Sequence, residues 1–540
     1  MNFKGDAKKL IERGNQLFGK RTGLELLWQE IALNFYVERA NFTALLSVGE
    51  EFAAHLNSSY PLIVRRELGN AFSAMLRPRD EEWFAISIER EDRLDRAGRE
   101  WLEWASGVQR RAMYDRKAMF TRATKEGDHD FAAFGQAVIS REINWTEQAL
   151  LYRNWHLRDV AWNERDTGEV GEVHRKWKPQ VGYLKRRFKN LHPKVTQCAD
   201  KDYFKEIDCR HIVIPSEEYE SKWRTPYVSV YLDVDNSHIM EEVGSWSPIY
   251  TIPRWQTVSG SQYAYSPATV AGLPDGRLLQ AMTLTLLEAG EMAVRPPMIA
   301  VKEAIRSDIQ LFSGGITSVD AEYDERLGEA LRPLVQDKSG LPFGMEISRD
   351  TREMLAACFY LNKLTLPPAD REMTAFETGQ RIQEYIRSAL PLFEPMETDY
   401  NGSLCEGTFE DLLRVGAFSG REMPKSLSGQ QVRFTFKSPL HDAIERKKGT
   451  KFMEAKGLIR EAIEIDPSTL PTLDARKSLR DALTGIGTPA AWLRDEEVVE
   501  QFAAEQEAQQ QAQAMMQQAG GVAAVAEQAG KAKQALDAAA

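Results

Sequence analysis

The sequence predicts an α+β protein whose sheets lie in the first half of the chain and whose second half is mainly helical. Three observations support this fold class. Near the N-terminus, apolar residues recur every three or four positions, as on the buried stripe of a helix. Between about residues 136 and 255, apolar and polar residues alternate, as they do along strands. From Asp275 onward the helical period returns.

Three helices are predicted before the first strand. The second begins at Ser58-Ser59-Tyr60-Pro61, with serine as the cap and proline in the first turn, and it stops before Pro78. The third is long and charged, from about Glu89 to Phe120, and has a narrow apolar seam. The stripe of the first helix consists of Leu24, Leu27, Trp28, Ile31 and Phe35.

The strands are predicted from alternation and from turn residues. Residues 136–143 and 149–177 alternate, and Asn163 to Gly168 has the composition of a hairpin turn. The clearest strand is Tyr227 to Val234, and Ile249 to Trp255 forms another. Together with the early helices, these strands make residues 1–274 a mixed α+β region.

Two helices are predicted to flank a small lobe. Asp275 is expected to cap a helix that ends at Arg295-Pro296-Pro297 and is about 30 Å long. Most of its circumference is apolar or small, which predicts burial on several sides. Residues 295–345 form a lobe of mixed charge with a short helix around 322–335. A second helix follows from about Ser348 to Leu364.

The remainder of the chain is predicted to be helical. Thr365 to Asp370 contains two prolines and is expected to be a stiff loop, after which a helix runs from near Thr374 towards Pro391. After about Val499 the sequence becomes rich in alanine and glutamine. Such a segment is helical if neighbouring chains support it and disordered otherwise.

Composition limits the possible functions. With 540 residues, 43% of them hydrophobic and 28% charged, the chain can bury a core and is neither disordered nor embedded in a membrane. Its N-terminus lacks the apolar core of a secretory signal. The net charge of −11 disfavours a protein that grips DNA over a broad face, but it allows one that lets DNA slide past. Reducing surroundings are indicated by four scattered cysteines, Cys198, Cys209, Cys358 and Cys405.

No motif in the sequence indicates an enzyme or a cofactor. A phosphate-binding glycine loop is absent, and no serine or cysteine lies in a nucleophile motif. Cys209 and His211 have metal-ligand spacing but no second pair of ligands. The segments Asp128-His129-Asp130 and Asp233 to Asn236 could in principle bind a metal. They are better explained as caps and turns at the ends of elements, because 80 acidic residues produce such clusters by chance.

Pro253-Arg254-Trp255, Tyr263 to Ala268 and Leu273-Pro274-Asp275 follow one another in this sequence, and this order of blocks resembles the head-to-tail connector family of short-tailed bacteriophages (podoviruses), which form the portal of the virion. Pro253-Arg254-Trp255 is similar to the family's Pro-x-Arg-Trp, and Ala264 stands where the family has glycine in its Tyr-Gly-x-Ser-Pro block. The similarity covers most of residues 20–500. The other blocks are Tyr60 to Ser87, Phe134 to Val138, Arg158 to Trp177, Arg295-Pro296-Pro297 and Met373 to Arg381.

The resemblance implies a portal fold, in which an α/β wing, a helical stem, a small α/β clip, a tunnel loop and a helical crown assemble as a ring. The implied regions are a wing at 1–274 and 373–445, stem helices at 275–294 and 346–363, a clip at 295–345, a tunnel loop at 364–372, a crown at 446–500, and a helical barrel or disordered tail at 501–540.

The resemblance also implies a structural protein rather than an enzyme. Family members form rings of twelve subunits at one capsid vertex, and double-stranded DNA passes through the ring during packaging and ejection. The implied partners are the terminase large subunit, a tail adaptor, the major capsid or scaffolding protein and internal core proteins, with no membrane. The implied location is the virion, with the host cytoplasm during assembly.

Two sets of site residues follow from this assignment. The tunnel loop would meet DNA through Lys363 and Arg371, with a stiff centre formed by Thr365, Leu366, Pro367 and Pro368. Contacts between stem helices of neighbouring subunits are assigned to Leu279, Met282, Leu286, Met354 and Phe359.

Two alternatives stay open at this point. The first is a metal-dependent nucleic-acid enzyme, such as a nuclease that uses Asp128, Asp130, Asp233 and Asp235. The second is another phage structural protein, such as a tail adaptor or an internal core protein. Neither of these would need a lobe bracketed by two apolar helices.

Overall fold

In the computed structural model the chain forms two compact units. The first consists of Met1–Trp83 and Arg110–Val415, and the second of Phe84–Gln109 and Gly416–Ala540. The predicted wing region 1–274 therefore contributes residues to both units. Apart from single residues and runs of two or three residues between and after them, the described residues are 5–44, 53–79, 82–89, 94–219, 222–300, 331–333, 340–364, 396–436, 451–462 and 474–485.

Helices and strands alternate along the first half of the chain, which confirms the α+β class. The helices are α1 (Ala7–Gly19), α2 (Thr22–Phe35), α3 (Tyr60–Leu76), α4 (Arg96–Met113), α5 (Phe120–Phe134), α6 (Val181–Arg187), α7 (Pro193–Lys201), α8 (Ser216–Tyr219), α9 (Pro267–Val294), α10 (Gly340–Cys358) and α11 (Leu361–Leu364). The strands are β1 (Phe84–Ile88), β2 (Ile139–Asn144), β3 (Ala149–Asn154), β4 (Val160–Glu164), β5 (Val170–Trp177), β6 (Cys209–Pro215), β7 (Tyr227–Asp233), β8 (His238–Ser245), β9 (Tyr250–Thr251), β10 (Gln256–Thr257), β11 (Ala264–Tyr265), β12 (Met298–Ala300), β13 (Leu331–Pro333) and β14 (Val432–Phe436).

A five-stranded antiparallel sheet is the largest feature of the first unit. Its strands β4 to β8 lie side by side in chain order, so each is joined to the next by a local connection. The central strand β6 is buried along its whole length because both faces of the sheet are covered. On one face Leu10 of α1 packs with Ile212 and Ile214; on the other, α6 and α7 pack around Cys209.

The predicted hairpin and the predicted strand after it are confirmed. Asn163 to Gly168 connects β4 to β5, and Gly168 takes the left-handed φ of +82° that such a turn requires. The strand predicted at Tyr227 to Val234 is β7. The helix predicted to begin at Ser59 is α3, but no side-chain hydrogen bond from Ser59 caps it.

The third predicted helix is wrong in its bounds. The region from Glu89 to Phe120 contains the shorter helix α4, and a separate helix, α5, begins at Phe120. Asp115 accepts a hydrogen bond from the N of Lys117 at 2.8 Å and starts a short turn, and Met119 has a left-handed φ of 55°. These two residues separate α4 from α5, and neither is visible in the apolar period.

A second sheet and α5 form the rest of the core of the first unit. Strand β2 pairs with both β3 and β9. The ring of Phe131 on α5 lies 5.3 Å from that of Trp255 and 5.9 Å from that of Phe72 on α3. Aromatic contacts at these distances stabilise the packing of α5 between α3 and the connection that leads to α9.

Arg21 fixes the N-terminal helices to the large sheet. Its guanidinium is buried and donates to the backbone carbonyls of Leu157, Arg158 and Val160, with 2.7 Å to the Leu157 oxygen. Three carbonyl acceptors and a salt bridge to Glu25 at 3.0 Å compensate the cost of burying this charge.

The second unit is smaller and contains β1, most of α4 and the later part of the chain. Strands β1 and β14 pair antiparallel, from Phe84 opposite Phe436 to Ile88 opposite Val432. Trp101 and Trp104 on α4 lie 5.9 and 6.3 Å from the ring of Phe418. Residues 451–462 and the segment Ala475–Gly485 are helical. No helix among the described residues could span a membrane.

A half-buried histidine, His156, gives the first unit a predictable response to acid. The Nδ1 of His156 accepts a hydrogen bond from the N of Arg158 at 3.0 Å, and its ring lies 4.6 Å from that of Phe42. Burial, together with the cations of Arg39 and Arg158, lowers its pKa from the ordinary 6.5 to about 3. Below pH 6.5 the unfolded chain therefore binds a proton that the folded chain excludes.

We expect the free energy of unfolding to decrease by about 2 kcal/mol through this residue as the pH falls from 6.5 to 5. His156→Asn keeps an acceptor near the Nδ1 position but does not titrate, so it should flatten the pH dependence. Urea unfolding of both proteins at pH 7 and pH 5 measures the difference. An identical pH dependence in the variant would contradict this assignment.

Candidate functional site

The longest helix of the first unit begins earlier than the sequence predicts. Helix α9 has 28 residues, about 42 Å at 1.5 Å per residue, and starts at Pro267 rather than at Asp275. Its cap is Ser266, whose hydroxyl accepts a hydrogen bond from the N of Thr269 at 3.4 Å. Asp275 lies inside the helix, next to Pro274. The prediction of Asp275 as the cap is therefore wrong.

Hydroxyl groups anchor the start of α9 to the end of α5. The Oγ of Ser266 donates to the carbonyl of Ala132 at 2.7 Å, and the Oγ1 of Thr269 donates to that of Ala133 at 2.8 Å. Carbonyls in the last turn of a helix lack hydrogen-bond partners within the helix. These bonds therefore supply donors to the last carbonyls of α5, and they also fix the position of the start of α9. Ser266 and Thr269 are both fully buried.

Three of the sequence blocks described above meet at this anchor. Gly135 ends α5 with a φ of +73°, and a side chain there would collide with the backbone of Tyr265. Its carbonyl accepts from the N of Trp255 at 2.8 Å, and the Oε1 of Gln136 accepts from the N of Ala264 at 3.0 Å. Because Ala264 lies in the short strand β11, its position does not require the glycine usual in the family.

The first half of α9 is embedded in the body of the unit. A side chain added at Gly272 would lie 3.2 Å from the ring of Phe359, and one added at Gly276 would lie 3.1 Å from that of Phe35. These glycines let the helix approach two aromatic rings closely. At the end of this half, the Oε1 of Gln280 accepts from the N atoms of Asn57 and Ser58, each at 2.8 Å.

Helix α10 returns along α9, and we call the two helices the stem hairpin. Gly344 lies beside Leu286, and Leu355 lies beside Gly272 near the other end. Helix α10 starts at Gly340, six residues before the predicted stem helix 346–363, and it ends at Cys358. Tyr360, with a left-handed φ of 58°, separates it from α11, so the predicted helix is not continuous.

The half of the stem hairpin beyond Gln280 presents apolar side chains to solvent. On α9, Leu284 and Leu287 are 42% and 59% exposed, and on α10, Phe343 and Met345 are 67% and 66% exposed. Met354 is 55% exposed and precedes Leu355, which lies beside Gly272 in the other half of the stem hairpin. Beyond Gln280, α9 carries only Glu288 and Glu291 as charged residues. Apolar side chains concentrated on one exposed hairpin are typical of a surface that another protein covers.

Threonines in this half add little polarity to the surface. The hydroxyls of Thr283 and Thr285 donate to the carbonyls of Leu279 and Ala281, at 2.7 and 3.1 Å, in the preceding turn. These hydroxyls donate their hydrogen bonds within the helix, so they do not need an acceptor on a neighbouring surface.

The structure places the predicted stem contacts differently from the expectation. Leu279 and Phe359 are fully buried within the chain, so they contribute to its own core and offer no surface to another subunit. Met282 and Leu286 are half-buried and lie near Gly344 between the two helices. Of the five residues only Met354 is exposed. Leu284, Leu287, Phe343 and Met345 are exposed but were not among the predicted contacts.

Part of the predicted clip and most of the predicted tunnel loop lie outside the described residues. Strands β12 and β13 pair antiparallel, which places a strand at 331–333 where the short helix around 322–335 was predicted. Lys363 lies in α11. The other tunnel-loop residues, Thr365, Leu366, Pro367, Pro368 and Arg371, lie outside the described residues, as do most of 301–339 and of the helix predicted after Thr374.

The carboxylates considered as metal ligands have other partners. Asp128 pairs with Arg77, and Asp130 accepts from Arg39 at 2.9 and 3.0 Å. Both lie inside α5 rather than at the end of an element, so their prediction as caps is wrong. Asp233 accepts from the N and Nδ2 of Asn236, which confirms a turn there. The described part of the chain contains no group of residues arranged to hold a metal ion.

Cys209 and His211 lie on β6 and have structural surroundings. The two ring nitrogens of His211 contact the hydroxyls of Tyr250, at 2.5 Å, and Ser229, at 2.8 Å. Burial and the nearby carboxylate of Asp233 raise the pKa of the Cys209 thiol, which keeps it protonated. A protonated thiol and a histidine bonded on both nitrogens are poorly suited to bind a metal.

Comparison with known proteins connects this fold to phage particles. The model of the family described as "Bacteriophage head to tail connecting protein" matches residues 7–493. A "Probable portal protein" of Bordetella phage BPP-1 is 24% identical over 484 residues, which cover 87% of this chain and 85% of that protein. The "Portal protein" of Salmonella phage epsilon15 is 22% identical over 282 residues, covering 51% and 50%.

Two solved structures also align with the chain. The virion of a native gene transfer agent particle gives a TM-score of 0.36 at 9% identity, covering 74% of this chain and 86% of the other. The neck of an empty particle of the same kind gives 0.35 at 10% identity, covering 74% and 87%.

Proposed function

Because the chain belongs to the family of bacteriophage head to tail connecting proteins, we propose that it is the portal subunit, a structural protein that joins head and tail at one capsid vertex. The observation that supports this proposal most is the exposed apolar surface of the stem hairpin. A long helix that is anchored at one end and apolar on its outer side is suited to packing against identical copies around an axis.

In the proposed ring, Leu284 and Leu287 of one subunit pack against the stem hairpin of the next. Phe343, Met345 and Met354 provide the complementary apolar surface on α10. Such a contact is heterologous, because different faces of the same chain meet, and a closed rotation then gives a ring. The number of subunits that we expect is twelve.

The ring is proposed to act as a passive channel for double-stranded DNA during packaging and ejection. The force for packaging would come from a terminase large subunit docked on the clip, and a tail adaptor would replace the terminase afterwards. The surrounding capsid or scaffolding protein and internal core proteins would contact the outer and inner regions. The subunit would be located in the virion, and in the host cytoplasm before assembly.

Electron microscopy of the purified full-length protein tests the central claim. We expect annular particles with a central hole, and a mass corresponding to a closed ring of subunits in mass photometry. A monomer of unchanged mass at all concentrations tested, with no annulus in the images, would contradict the proposal. An active metal-dependent nuclease in the same preparation would favour the enzyme instead.

Arg371 provides a separate test of the tunnel loop. Twelve copies of one cation form a band of charge around a channel, so replacing each by an anion should repel the phosphates of DNA inside it. We expect Arg371→Glu to reduce the amount of nuclease-protected DNA that particles retain, while rings still form. Lys363→Glu is the matched change at the other candidate cation. Subunits that fail to assemble would indicate a structural role for Arg371.

A further inference from the structure

A segment of the first unit has a charge opposite to that of the whole protein. Residues 176–205 contain nine lysine and arginine residues but only two aspartates, a net charge of +7 in a chain whose net charge is −11. We call this segment the basic lobe. It contains α6 and α7 and the connections on either side of them.

The basic lobe is folded, and its apolar side faces the large sheet. Val181, Leu184 and Phe188 from α6 and the residue after it pack with Val195 and Ala199 from α7. Because this side is buried, the cations between these residues are directed to solvent. The charge is therefore presented on a fixed surface rather than on a flexible tail.

Some cations of the lobe are neutralised by carboxylates. Lys185 pairs with Asp200 at 2.9 Å and ties α6 to α7, while Arg187 pairs with Glu241 at 3.0 Å. Lys178 pairs with Asp208 at 3.1 Å. Asp200, one of the two aspartates within the lobe, is therefore already paired and does not neutralise another cation.

The other six cations of the lobe are exposed and make no ion pair among the described residues. One of them, Lys176, lies over the ring of Phe18 at 4.0 Å, which leaves five. Distant carboxylates do not compensate them, because the screening length is about 8 Å at physiological ionic strength. The five are Arg186, Lys189, Lys194, Lys201 and Lys205.

The spacing of the cations on α7 suits a regular polyanion. Lys194, Gln197 and Lys201 are separated by three and four residues, so they lie on one face of the helix, and all three are exposed. Lys194 and Lys201 are about 10 Å apart along the helix axis. This distance corresponds to about three base-pair steps, at a rise of about 3.4 Å each along the duplex axis.

We propose that the basic lobe binds the phosphate backbone of double-stranded DNA, without base specificity, at a site separate from the channel. The proposal goes beyond the proposed function, which requires DNA only inside the ring, and none of the lobe residues belongs to the stem hairpin. An acidic polypeptide is the competing ligand. Lys194 and Lys201, about 10 Å apart on one exposed face of α7, favour the duplex, because its phosphates form a regular row of negative charge.

Fluorescence anisotropy with a short labelled duplex tests the proposal on the full-length protein. The test variant combines Arg186→Gln, Lys189→Gln, Lys194→Gln and Lys201→Gln, which are all exposed and should leave the fold intact. We expect its affinity to fall by about tenfold or more at low salt. The slope of log affinity against log salt should become shallower by about 2 or more between about 50 and 200 mM.

A matched control removes the same charge elsewhere. Lys8→Gln, Lys20→Gln, Arg66→Gln and Lys125→Gln are four exposed changes outside the lobe. We expect this control to bind the duplex within about twofold of the unmodified chain, since distant charges are screened. Equal weakening by both sets would overturn the proposal, because only net charge would then matter.

Two further measurements separate this site from the channel and from a protein ligand. A covalently closed DNA circle cannot be threaded into an assembled ring, so it should compete for the lobe and not for the channel. Failure of the circle to compete would overturn the proposal, whereas the annuli seen by microscopy would still support the ring. Tighter binding of a labelled polyglutamate peptide than of the duplex would assign the lobe to an acidic protein partner and also overturn it.

Discussion

Leu284→Glu combined with Leu287→Glu is expected to prevent ring formation and leave a folded monomer. Both side chains are already partly exposed in the single chain, so carboxylates there remain solvated and the fold loses little. In the ring, however, the same positions would be covered by the neighbouring stem hairpin. A carboxylate buried without a partner is costly, so the substitutions act on assembly rather than on folding.

The size of the effect follows from the area that each side chain would bury. Full burial of a leucine contributes about 1.5–3 kcal/mol, so losing two partly buried leucines removes about 3 kcal/mol from each subunit contact. The desolvation of two carboxylates adds to this loss. Association should therefore weaken by more than about 100-fold per contact. Analytical ultracentrifugation over a range of concentrations measures the shift from ring to monomer.

Leu26→Glu is the matched control for these substitutions. Leu26 on α2 is 60% exposed, similar to Leu287, but it does not belong to the stem hairpin. We expect rings to form normally with this variant. If Leu26→Glu also abolished the ring, the stem hairpin would not be the surface that determines assembly. The melting temperature of the Leu284→Glu, Leu287→Glu monomer should agree with that of the unmodified chain in its monomeric form. Such agreement would exclude misfolding as the reason why the double variant forms no rings.

The second large effect is expected at Asp128, in the core of the first unit. Asp128 and Arg77 form an ion pair that is almost completely buried. Arg77 also donates to the Oδ1 of Asn401 at 2.7 Å, and its guanidinium lies 4.7 Å from the ring of Tyr400. The pair therefore connects the end of α3 with α5 and with the π-helical segment Met396–Gly402.

We expect Asp128→Asn to lower the free energy of unfolding of this unit by about 3–5 kcal/mol, because it leaves the Arg77 cation buried without a counter-ion. Chemical unfolding followed by tryptophan fluorescence measures the loss. The double variant Arg77→Met with Asp128→Leu removes both charges and should recover most of the stability. Failure of the double variant to recover any stability would show that the cost does not come from the unpaired charge.

Asp128→Asn, together with a substitution at Asp235, distinguishes the nuclease alternative from the structural role. Asp235 is exposed, so Asp235→Asn should change the free energy of unfolding by less than about 0.5 kcal/mol. A nuclease that used both carboxylates would lose a metal-dependent activity in Asp128→Asn and in Asp235→Asn alike. We expect the unmodified protein and both variants to give the same background reading in a metal-dependent nuclease assay.

Features that depend on neighbouring residues in the sequence could be predicted. The hairpin at Asn163 to Gly168 is such a case, because its turn residues alone determine the reversal. Strand β7 alternates so regularly that its type and its bounds followed directly from the pattern. The block that contains Gly135 also reflects a local requirement, because a side chain at this position would collide with the backbone of Tyr265.

Features that depend on partners far away in the sequence could not be predicted. Helix α5 was missed because two of its buried residues are Asp128 and Asp130, whose arginine partners lie 51 and 91 residues away. The start of α9 was placed too late because Ser266 is selected by its contact with α5, 134 residues earlier.

The contacts of the stem were misassigned for a related reason. An apolar period identifies a buried stripe on a helix, but it does not say which neighbour covers that stripe. Leu279 belongs to the body of the unit, and the side chains left for another subunit lie beside the stripe rather than on it. The basic lobe was overlooked because the charge was summed over the whole chain.

The anchor at the start of α9 also determines how mechanical force would pass through a subunit. Tension or compression along α9 reaches the Ser266 and Thr269 hydroxyls and is transferred to the last carbonyls of α5. From there it spreads through the packed rings of Phe131 and Trp255 into the globular body. In the proposed ring, a push on α9 would thus pass into the body of the same subunit before it reached the apolar contacts proposed between neighbours.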